Sequence, residues 1–263
     1  MNTALLPSDR RDWETVDAGE SGATVLRHRS GESYAKLVAP EQADALAAER
    51  DRIAWLSTTG IPTMSVLDWR ADAVGACLVT SAVPGVPADA LDPVDLAVVW
   101  PAIADTVRAL HALPAADCPF DRTLAVMMPL ARAVVAGDRV QRDFLPDDLR
   151  DVPAALLLAP VEAELPARTR QEADDLVVCH GDLCLPNILV DVERRAVTGL
   201  IDLGRLGRAD PHADTALLFA NARETWPDAA SASRADADFD RLYGVPRDPQ
   251  RQEFYLRLDP LTW

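Results

Sequence analysis

The stretch VVCHGDLCLPNILVD, residues 177–191, places a His, two Asp, two Cys and an Asn between two apolar segments. The flanking runs are rich in Val, Ile and Leu, which is typical of buried strands. Polar, reactive side chains held between two buried segments indicate a functional loop. These residues allow three interpretations: a metal site, a reactive thiol, or a loop for phosphoryl transfer.

The metal and thiol interpretations are the less favoured ones. Structural zinc sites usually combine two pairs of ligands, and no second cluster accompanies this stretch. A nucleophilic cysteine needs a base nearby, and a free cysteine in an apolar strand is normally a small buried hydrophobic residue. The possible metal ligands are Cys179, His180, Asp182 and Cys184.

The spacing within the stretch favours phosphoryl transfer. Asp182 and Asn187 are five positions apart in H-G-D-x-x-x-x-N, and protein kinases place a catalytic Asp and a metal-binding Asn at the same separation. Twenty residues after Asp182, Asp202 begins the sequence D-L-G, which matches the kinase D-F-G in form and position. Asp182 would accept the proton of the attacking hydroxyl, while Asn187 and Asp202 would offer hard oxygen ligands to Mg²⁺.

This interpretation requires three further features earlier in the chain, namely a Gly-containing phosphate turn, a strand lysine and a helical glutamate. Ser21 lies in AGESGA, where it can donate to a phosphate. Lys36 is the only lysine of the chain and lies in a predicted strand. Glu49 lies on a predicted helix with apolar neighbours on its face, and Asp51 is the alternative partner for Lys36. The ordered set predicts phosphotransfer that uses ATP and Mg²⁺.

The order of predicted elements indicates an α+β protein with two lobes. Short β-branched and aromatic runs with one helix predict a β-rich N-terminal lobe over residues 1–82. The segment VPGVPA, residues 83–88, predicts a linker. Residues 89–263 predict a mostly helical C-terminal lobe, with helices at 124–136, 153–165 and 211–224 and a loop or weak helix end at 228–240.

The composition of the chain limits the classes of molecule that it is expected to bind. The net charge of −16 argues against nucleic acid and anionic membrane surfaces, and it is compatible with a cationic partner. The four cysteines form no CxxC pair, no secretory signal is visible, and no apolar run approaches the ~20 residues that span a bilayer. We therefore expect a cytoplasmic monomer without nucleic-acid or membrane partners.

Longer segments resemble a known family. VVCHGDLCLPNILVD, GLIDLGRLGRADPHADTALL and ADCPFDR resemble the aminoglycoside phosphotransferases, which are kinase-like enzymes that inactivate antibiotics. A finer resemblance, to the streptomycin 3''-phosphotransferases, is carried by GESGATV, AAERDRIAWL, GACLVTSAVPGVPA, DFLPDD and FYLRLDPLTW. The resemblance implies a bilobal protein-kinase-like fold, ATP-dependent phosphorylation of streptomycin at its 3''-hydroxyl, and antibiotic resistance.

The resemblance also implies roles for individual residues. Asp182 would be catalytic, and Asn187 and Asp202 would bind Mg²⁺. Carboxylates of the C-terminal lobe would bind the cationic drug, since guanidinium pairs bidentately with carboxylate. Arg205 is either a partner of Asp182 or a structural residue. The nucleotide would contact Ser21, Lys36, Glu49 and the backbone of Ser81 and Val83, and the drug would contact residues among Arg205, Asp210, Asp214, Glu224 and Asp259.

Two alternatives remain open from the sequence. The same chemistry can act on the 3'-hydroxyl of another aminoglycoside or on a small hydroxylated metabolite. A non-catalytic, nucleotide-binding pseudokinase is the second alternative, although the intact kinase residues argue against it. A protein kinase is disfavoured because no A-P-E segment follows Asp-Leu-Gly.

Overall fold

The computed structural model describes residues 5–16 and 22–263 of the chain. The chain divides into two compact units, and one boundary lies after Ala88, where the predicted linker ends. The sequence assigned 187–204 to the C-terminal lobe, whereas its contacts group it with the N-terminal residues. The first unit comprises Met1–Ala88 and Asn187–Gly204, and the second comprises Asp89–Pro186 and Arg205–Trp263.

The described part of the first unit is built on an antiparallel sheet with the strand order β1-β2-β3-β5-β4. A smaller sheet has the order β6-β8-β9, and in the second unit β7 pairs with β10. The predicted β-rich beginning of the chain is confirmed, with β4 as an additional strand. The strands are β1 (Trp13–Thr15), β2 (Thr24–His28), β3 (Ser33–Val38), β4 (Val66–Asp72), β5 (Gly75–Ser81), β6 (Val86–Pro87), β7 (Val177–Cys179), β8 (Ile188–Asp191), β9 (Ala196–Leu200) and β10 (Gly207–Ala209).

The alternation of side chains along β3 places Lys36 on one face of the sheet. Ala35 and Leu37 are buried in an apolar cluster that includes Trp13 and Leu26, so Lys36 faces the other side of the sheet. Helix α1 (Ala43–Leu56) supplies a partner for Lys36. Its buried residues recur at helical spacing, which places a carboxylate on the same face as apolar side chains. These residues are Leu46, Glu49, Ile53 and Leu56.

The described second unit is mostly helical, as predicted. The predicted helix at 124–136 matches α3, whereas α4 continues well beyond residue 165 with two prolines inside it. None of the helices in the described ranges is both long and apolar enough to cross a membrane. The helices are α2 (Pro93–His111), α3 (Leu124–Ala136), α4 (Ala154–Asp174), α5 (Pro211–Ala222), α6 (Ala229–Tyr243) and α7 (Pro249–Leu258).

Helix α6 (Ala229–Tyr243) occupies the segment 228–240, for which the sequence predicted a loop or a weak helix end. Asp228 caps the helix by accepting a hydrogen bond from the backbone N–H of Ser231 at 2.7 Å. The indole N–H of Trp100 on α2 donates to the carbonyl of Ala235 at 2.8 Å. The segment is a full helix because two alanines, an aspartate and one phenylalanine form a buried face on it. That face consists of Ala232, Ala235, Asp236 and Phe239.

A buried carboxyl on α4 gives the second unit a pH-dependent stability. Glu172 is 4% exposed, and both of its oxygens accept the backbone N–H of Leu124 where α3 begins, at 3.0 and 3.1 Å. Burial raises the pKa of Glu172 to about 7, and the hydrogen bond from Leu124 only partly opposes this shift. The native state therefore holds a proton between about pH 4.5 and pH 7 that the unfolded chain has released, so stability falls as pH rises through this window.

We expect the free energy of unfolding to fall by about 3 kcal/mol through Glu172 alone between pH 4.5 and 8. Glu172→Gln keeps an acceptor for Leu124 and removes the titration, so its pH profile should be flatter. Urea unfolding at pH 5 and pH 8 measures the difference. Glu162→Gln, an exposed site on the same helix, serves as the control, and parallel profiles for wild type and Glu172→Gln would contradict the assignment.

Candidate active site

Lys36 is the centre of a three-residue ionic network in the first unit. Its Nζ donates to Glu49 Oε2 at 2.8 Å and to Asp202 Oδ1 at 3.3 Å. Burial alone would lower the pKa of Lys36, but the charges of Glu49 and Asp202 outweigh burial and raise it. Asp51, the alternative partner considered from the sequence, pairs with Arg50 instead. The predicted ion pair between Lys36 and Glu49 is therefore present, and the ammonium remains charged.

Asn187 and Asp202 lie at the same end of the β8–β9 hairpin. Ile188 is the Cα partner of Leu200, so the residue before β8 and those after β9 are neighbours. The backbone N–H of Ile201 donates to the carbonyl of Asn187 at 3.0 Å. Asp202 has a φ of +57°, an uncommon conformation for a residue other than glycine that often marks a functional position.

The oxygens of these two side chains fit a magnesium ion. An amide and a carboxylate are hard ligands, and Mg²⁺ typically takes one or two protein oxygens and completes its shell with water and phosphates. The side chain of Asp202 is 49% exposed, which leaves it open to such a shell, whereas Asn187 is 8% exposed and held in place. The donor set therefore fits the predicted ion.

The H-G-D loop is fixed from several directions within the second unit. His180 is fully buried, and its Nδ1 accepts the backbone N–H of Asp182 at 3.2 Å. The carbonyl of Asp182 accepts the N–H of Cys184 at 3.0 Å. The N–H of Leu185 donates to Asn221 Oδ1 on α5 at 2.8 Å. His180 is thus an anchor of the loop, and the half-buried Asp182 is held through its main chain.

Asp214 on α5 binds the backbone of the same loop. Its Oδ1 accepts the backbone N–H of Gly181 at 2.8 Å, and its Oδ2 accepts that of His180 at 2.7 Å. Burial alone would raise the pKa of Asp214, but hydrogen bonds from His111 and Gly181 outweigh it and keep the pKa below its usual value. Asp214 is 0% exposed, which does not fit the predicted contact with the substrate. Its carboxylate positions the loop instead.

Asp210 is also an internal residue with partners inside the second unit. Its Oδ1 accepts the N–H of His212 at 2.8 Å and caps α5. Its Oδ2 accepts from the guanidinium of Arg251, with Nε at 3.0 Å. Asp210 is 0% exposed. Burial would raise its pKa, yet the hydrogen bonds from His212 and Arg251 lower it overall. Its burial and its internal partners do not fit the predicted contact between Asp210 and the substrate.

Arg205 and Asp259 bind each other at the end of the chain. Arg205 Nη1 donates to Asp259 Oδ1 at 2.9 Å, and its guanidinium lies 3.4 Å from the centroid of the Trp263 ring. Asp259 Oδ2 accepts the indole N–H of Trp263 at 3.2 Å. These contacts support the structural role for Arg205, and they engage both carboxylate oxygens of Asp259. Asp259 is thus not an open anion for a cationic ligand, whereas Glu224 is exposed.

Gly181 cannot be replaced without moving the loop. Its φ is +82°, and a Cβ would lie 2.2 Å from the carbonyl oxygen of Arg205. Gly244 has a φ of +89° and no atom within 4 Å of a built Cβ. It therefore shares the backbone strain but not the clash.

We expect Gly181→Ala to lower kcat at least about tenfold and the free energy of unfolding by about 2–3 kcal/mol. Gly244→Ala should cost only the backbone strain of about 1 kcal/mol and leave kcat unchanged. Steady-state kinetics and urea unfolding of both variants measure the two effects. Equal effects in the two variants would contradict the proposed close packing of the loop.

The structure disfavours a reactive thiol at Cys179. Cys179 is fully buried, and its Sγ donates to the carbonyl of Asp210 at 3.4 Å. Burial raises the pKa of this thiol well above its usual value, so it is not a nucleophile. Donor atoms of His111, Cys179 and Asp214 approach within 4.8 Å in the described chain, but each already makes a hydrogen bond within the protein. The group is a packed polar core.

The remaining nucleotide residues are only partly described. Ser21 lies outside the described residues. The backbone N–H of Ser81 donates to the carbonyl of Ser65 at 2.9 Å. Val83 packs against Gly199, where a Cβ would come within 2.7 Å of Val83 Cγ1. The adenine contact of Ser81 and Val83 stays a prediction.

The sequence reasoning missed His111, Asn221 and Tyr243, which hold the loop or its support. Asn221 and Tyr243 carried no motif in the sequence. His111 did leave a signal, because it continues the buried stripe of Trp100, Ala104 and Val107 on α2. A polar residue on such a stripe must find a hydrogen-bond partner.

Comparison with models of protein families matches residues 12–255 to the "Phosphotransferase enzyme family". The chain belongs to this family. Among related proteins, the streptomycin 3''-kinase of Streptomyces griseus is 58% identical to this phosphotransferase over 252 residues, which cover 96% of this chain and 93% of that protein. An aminoglycoside 3'-phosphotransferase of Streptomyces fradiae is 43% identical over 272 residues, and the alignment covers 94% of this chain and 94% of that protein.

Solved structures agree with this membership. The aminoglycoside phosphotransferase APH(3'')-Id of Streptomyces rimosus has a TM-score of 0.94 and 52% identity, covering 99% of this chain and 97% of that one. Its complex with ADP and streptomycin has a TM-score of 0.93 and 51% identity at the same coverage. The predicted kinase-like α+β fold is thereby confirmed, and the chain is a phosphotransferase with an alcohol group as acceptor.

Proposed function

We propose that this phosphotransferase uses ATP to phosphorylate the 3''-hydroxyl of streptomycin and thereby confers resistance to the drug. The observation that carries the proposal is the 51% identity, over 99% of the chain, to a relative solved with ADP and streptomycin. The ionic network of Lys36 and the rigidly held H-G-D loop supply the chemical groups that such a reaction needs.

The first unit supplies the groups that would bind the nucleotide. The ammonium of Lys36, held by Glu49 at 2.8 Å, would neutralise the phosphates. Asn187 and Asp202 would hold Mg²⁺, which supplies further neutralisation of the charge that develops on the transferring phosphoryl group. Asp202 already accepts from Lys36 at 3.3 Å, so the two cationic groups would share one carboxylate.

The H-G-D loop supplies the group that would act on the acceptor. Phosphoryl transfer has a loose transition state, so positioning and charge stabilisation provide most of the rate enhancement. The carboxylate of Asp182 would orient the drug hydroxyl, whose oxygen forms the new bond to the γ-phosphorus while the bond to the oxygen of the leaving ADP breaks. The hydroxyl proton would pass to Asp182 late in the step.

The overall charge of the chain would favour a polycationic drug. At −16, the net charge would raise the local concentration of cations and speed their encounter with the enzyme. Because Asp210, Asp214 and Asp259 are engaged inside the protein, the exposed Glu224 is the predicted contact that remains. The expected monomeric state, cytoplasmic location and lack of nucleic-acid partners remain predictions from composition.

A panel of acceptors tests this proposal. ADP release is measured with streptomycin, kanamycin and choline at equal concentration, and we expect kcat/KM for streptomycin to be at least about 10²-fold higher than for the others. The 43% identical 3'-phosphotransferase makes a 3'-kinase the second candidate, and preference for kanamycin would favour it. Preference for choline would indicate a metabolite kinase, and no turnover with any acceptor would indicate a nucleotide-binding protein without catalysis.

A further inference from the structure

Asp214 is the inner end of a longer series of hydrogen bonds. Its Oδ2 accepts from His111 Nε2 at 3.1 Å, in addition to the backbone N–H of His180. His111 Nδ1 lies 2.7 Å from the hydroxyl of Tyr243. The series therefore runs from Tyr243 at the end of α6, through His111 at the end of α2, to the two backbone groups that precede Asp182.

The groups involved fix the direction of the hydrogen bond between His111 and Asp214. Asp214 is ionised and can only accept, so His111 Nε2 must carry a proton and donate. His111 Nδ1 and the Tyr243 hydroxyl share the second hydrogen bond, in which the hydroxyl donates to a neutral imidazole and accepts from a protonated one. Every polar atom of the series has a partner, which is the condition under which a buried polar network rigidifies its surroundings.

Tyr243 is itself held in place by aromatic packing. Its ring stacks on Phe239 at 5.6 Å, and it meets the His111 ring edge-on at 5.6 Å. Phe239 packs in turn against Trp100 of α2 and Phe219 of α5. Helix α6 is thus fixed to the helices that carry the other members of the series, so the hydroxyl of Tyr243 has a defined position relative to His111.

We propose that His111 and Tyr243 are positioning residues of the phosphotransferase. The Tyr243–His111–Asp214 link fixes the carboxylate of Asp214 in the orientation that receives both N–H groups of His180 and Gly181, and it thereby sets the position of Asp182. The inference deepens the proposed function and rests on it, since it names residues outside the kinase motifs on which the rate of transfer depends.

A set of point variants separates this role from a general contribution to stability. Tyr243→Phe deletes one hydroxyl, His111→Leu deletes both hydrogen bonds, and His111→Gln restores a donor to Asp214. Tyr255→Phe is the matched control, because the Tyr255 hydroxyl is buried without a hydrogen-bond partner in the described chain. For each variant, kcat and KM are measured with ATP and streptomycin, together with Tm and the Kd for ADP.

We expect kcat to fall about 3–10-fold in Tyr243→Phe and about 10–100-fold in His111→Leu, with KM for ATP and Kd for ADP within about twofold of wild type. His111→Gln should recover most of the loss, and Tyr255→Phe should match wild type. Because Tyr243 acts through His111, adding Tyr243→Phe to His111→Leu should have no further effect on kcat. A lower Tm with unchanged kcat in Tyr243→Phe, or independent effects in the double variant, would overturn the proposal.

A measurement without substrate distinguishes failure of this inference from failure of the proposed function. Amide hydrogen exchange at His180 and Gly181 should be faster in Tyr243→Phe than in wild type, while Tyr255→Phe should not change it. Unchanged exchange at both amides would overturn the positioning link whatever the acceptor is. The two outcomes can also separate. If the wild-type enzyme does not phosphorylate streptomycin but exchange is still faster in Tyr243→Phe, the proposed substrate is refuted and the positioning link is supported.

Discussion

Asp182→Asn is expected to lower kcat by about 10³-fold while leaving nucleotide affinity unchanged. A positioned general base contributes about 10²–10⁴-fold, and an amide can neither accept the proton nor orient the hydroxyl in the same way. The main chain of Asp182 makes two hydrogen bonds, from its N–H to His180 Nδ1 at 3.2 Å and from the N–H of Cys184 to its carbonyl at 3.0 Å. Asp182→Asn keeps both of these main-chain bonds, so we expect the loop to keep its position.

The test for Asp182 combines steady-state kinetics with calorimetric titration of ADP. Asp105→Asn, an exposed aspartate that pairs with Arg108 in the same unit, makes the same chemical change away from the loop and should retain full activity. Turnover of Asp182→Asn near the wild-type rate would refute the role of Asp182. Loss of ADP affinity together with kcat would indicate that the variant disturbs more than the acceptor group.

Lys36→Ala is expected to lower kcat/KM for ATP by about 10²–10³-fold, as for the loss of one preorganised electrostatic contact to a developing charge. The same substitution leaves Glu49 buried without its cation. Burial already raises the pKa of Glu49 and Lys36 lowers it, so the variant should take up a proton on Glu49. The Tm should fall as well, since removing one partner of a buried ion pair is destabilising.

Arg29→Ala is the matched control for Lys36, because it removes the cation of an exposed ion pair with Glu14 in the same unit. Exposed pairs contribute about 0–1 kcal/mol, so this variant should resemble wild type in both activity and Tm. ADP release at varied ATP concentration and thermal unfolding give the comparison. If Lys36→Ala retained the wild-type kcat/KM for ATP, the assignment of the nucleotide-binding network would be wrong.

The order of residues along the chain predicted the ionic network because each member carried its own local signal. The alternation of residues along the strand indicates which face of the sheet carries the lysine. The apolar neighbours of the glutamate indicate that it lies on the buried face of its helix. Pairing of β8 with β9 then brings Asn187 and Asp202 to one end of a hairpin, as antiparallel strands with a short connection generally do.

The acidic residues of the second unit were misassigned because their partners lie far away in sequence. Asp210 and Asp214 look like solvated charges in a list of carboxylates, yet they bind Arg251 and the loop at His180. A buried carboxylate is tolerated only where hydrogen bonds and opposite charges surround it. Such compensation is a property of the folded chain and has no local sequence signature.

Helix α6 was missed for a related reason. A segment made mostly of Ala, Ser and Asp has only one large apolar residue, Phe239, which is fewer than normally indicate a packed helix. Its buried face becomes favourable only because small residues allow close approach to α2 and because Arg223 and Arg247 neutralise Asp236, at 2.6 Å each. The same long-range contacts bring Tyr243 to His111, so the positioning link was likewise beyond the reach of the sequence.

The most direct measurement is the structure of the product formed from streptomycin and ATP. Purified enzyme is incubated with both compounds and Mg²⁺, and the product is analysed by mass spectrometry and by ³¹P–¹H correlation NMR. The proposal predicts ADP and a streptomycin carrying one phosphoryl group, with the phosphorus coupled to the proton at the 3'' position. Phosphorus coupled at any other position, or recovery of unmodified streptomycin from an enzyme that binds ADP, would contradict it.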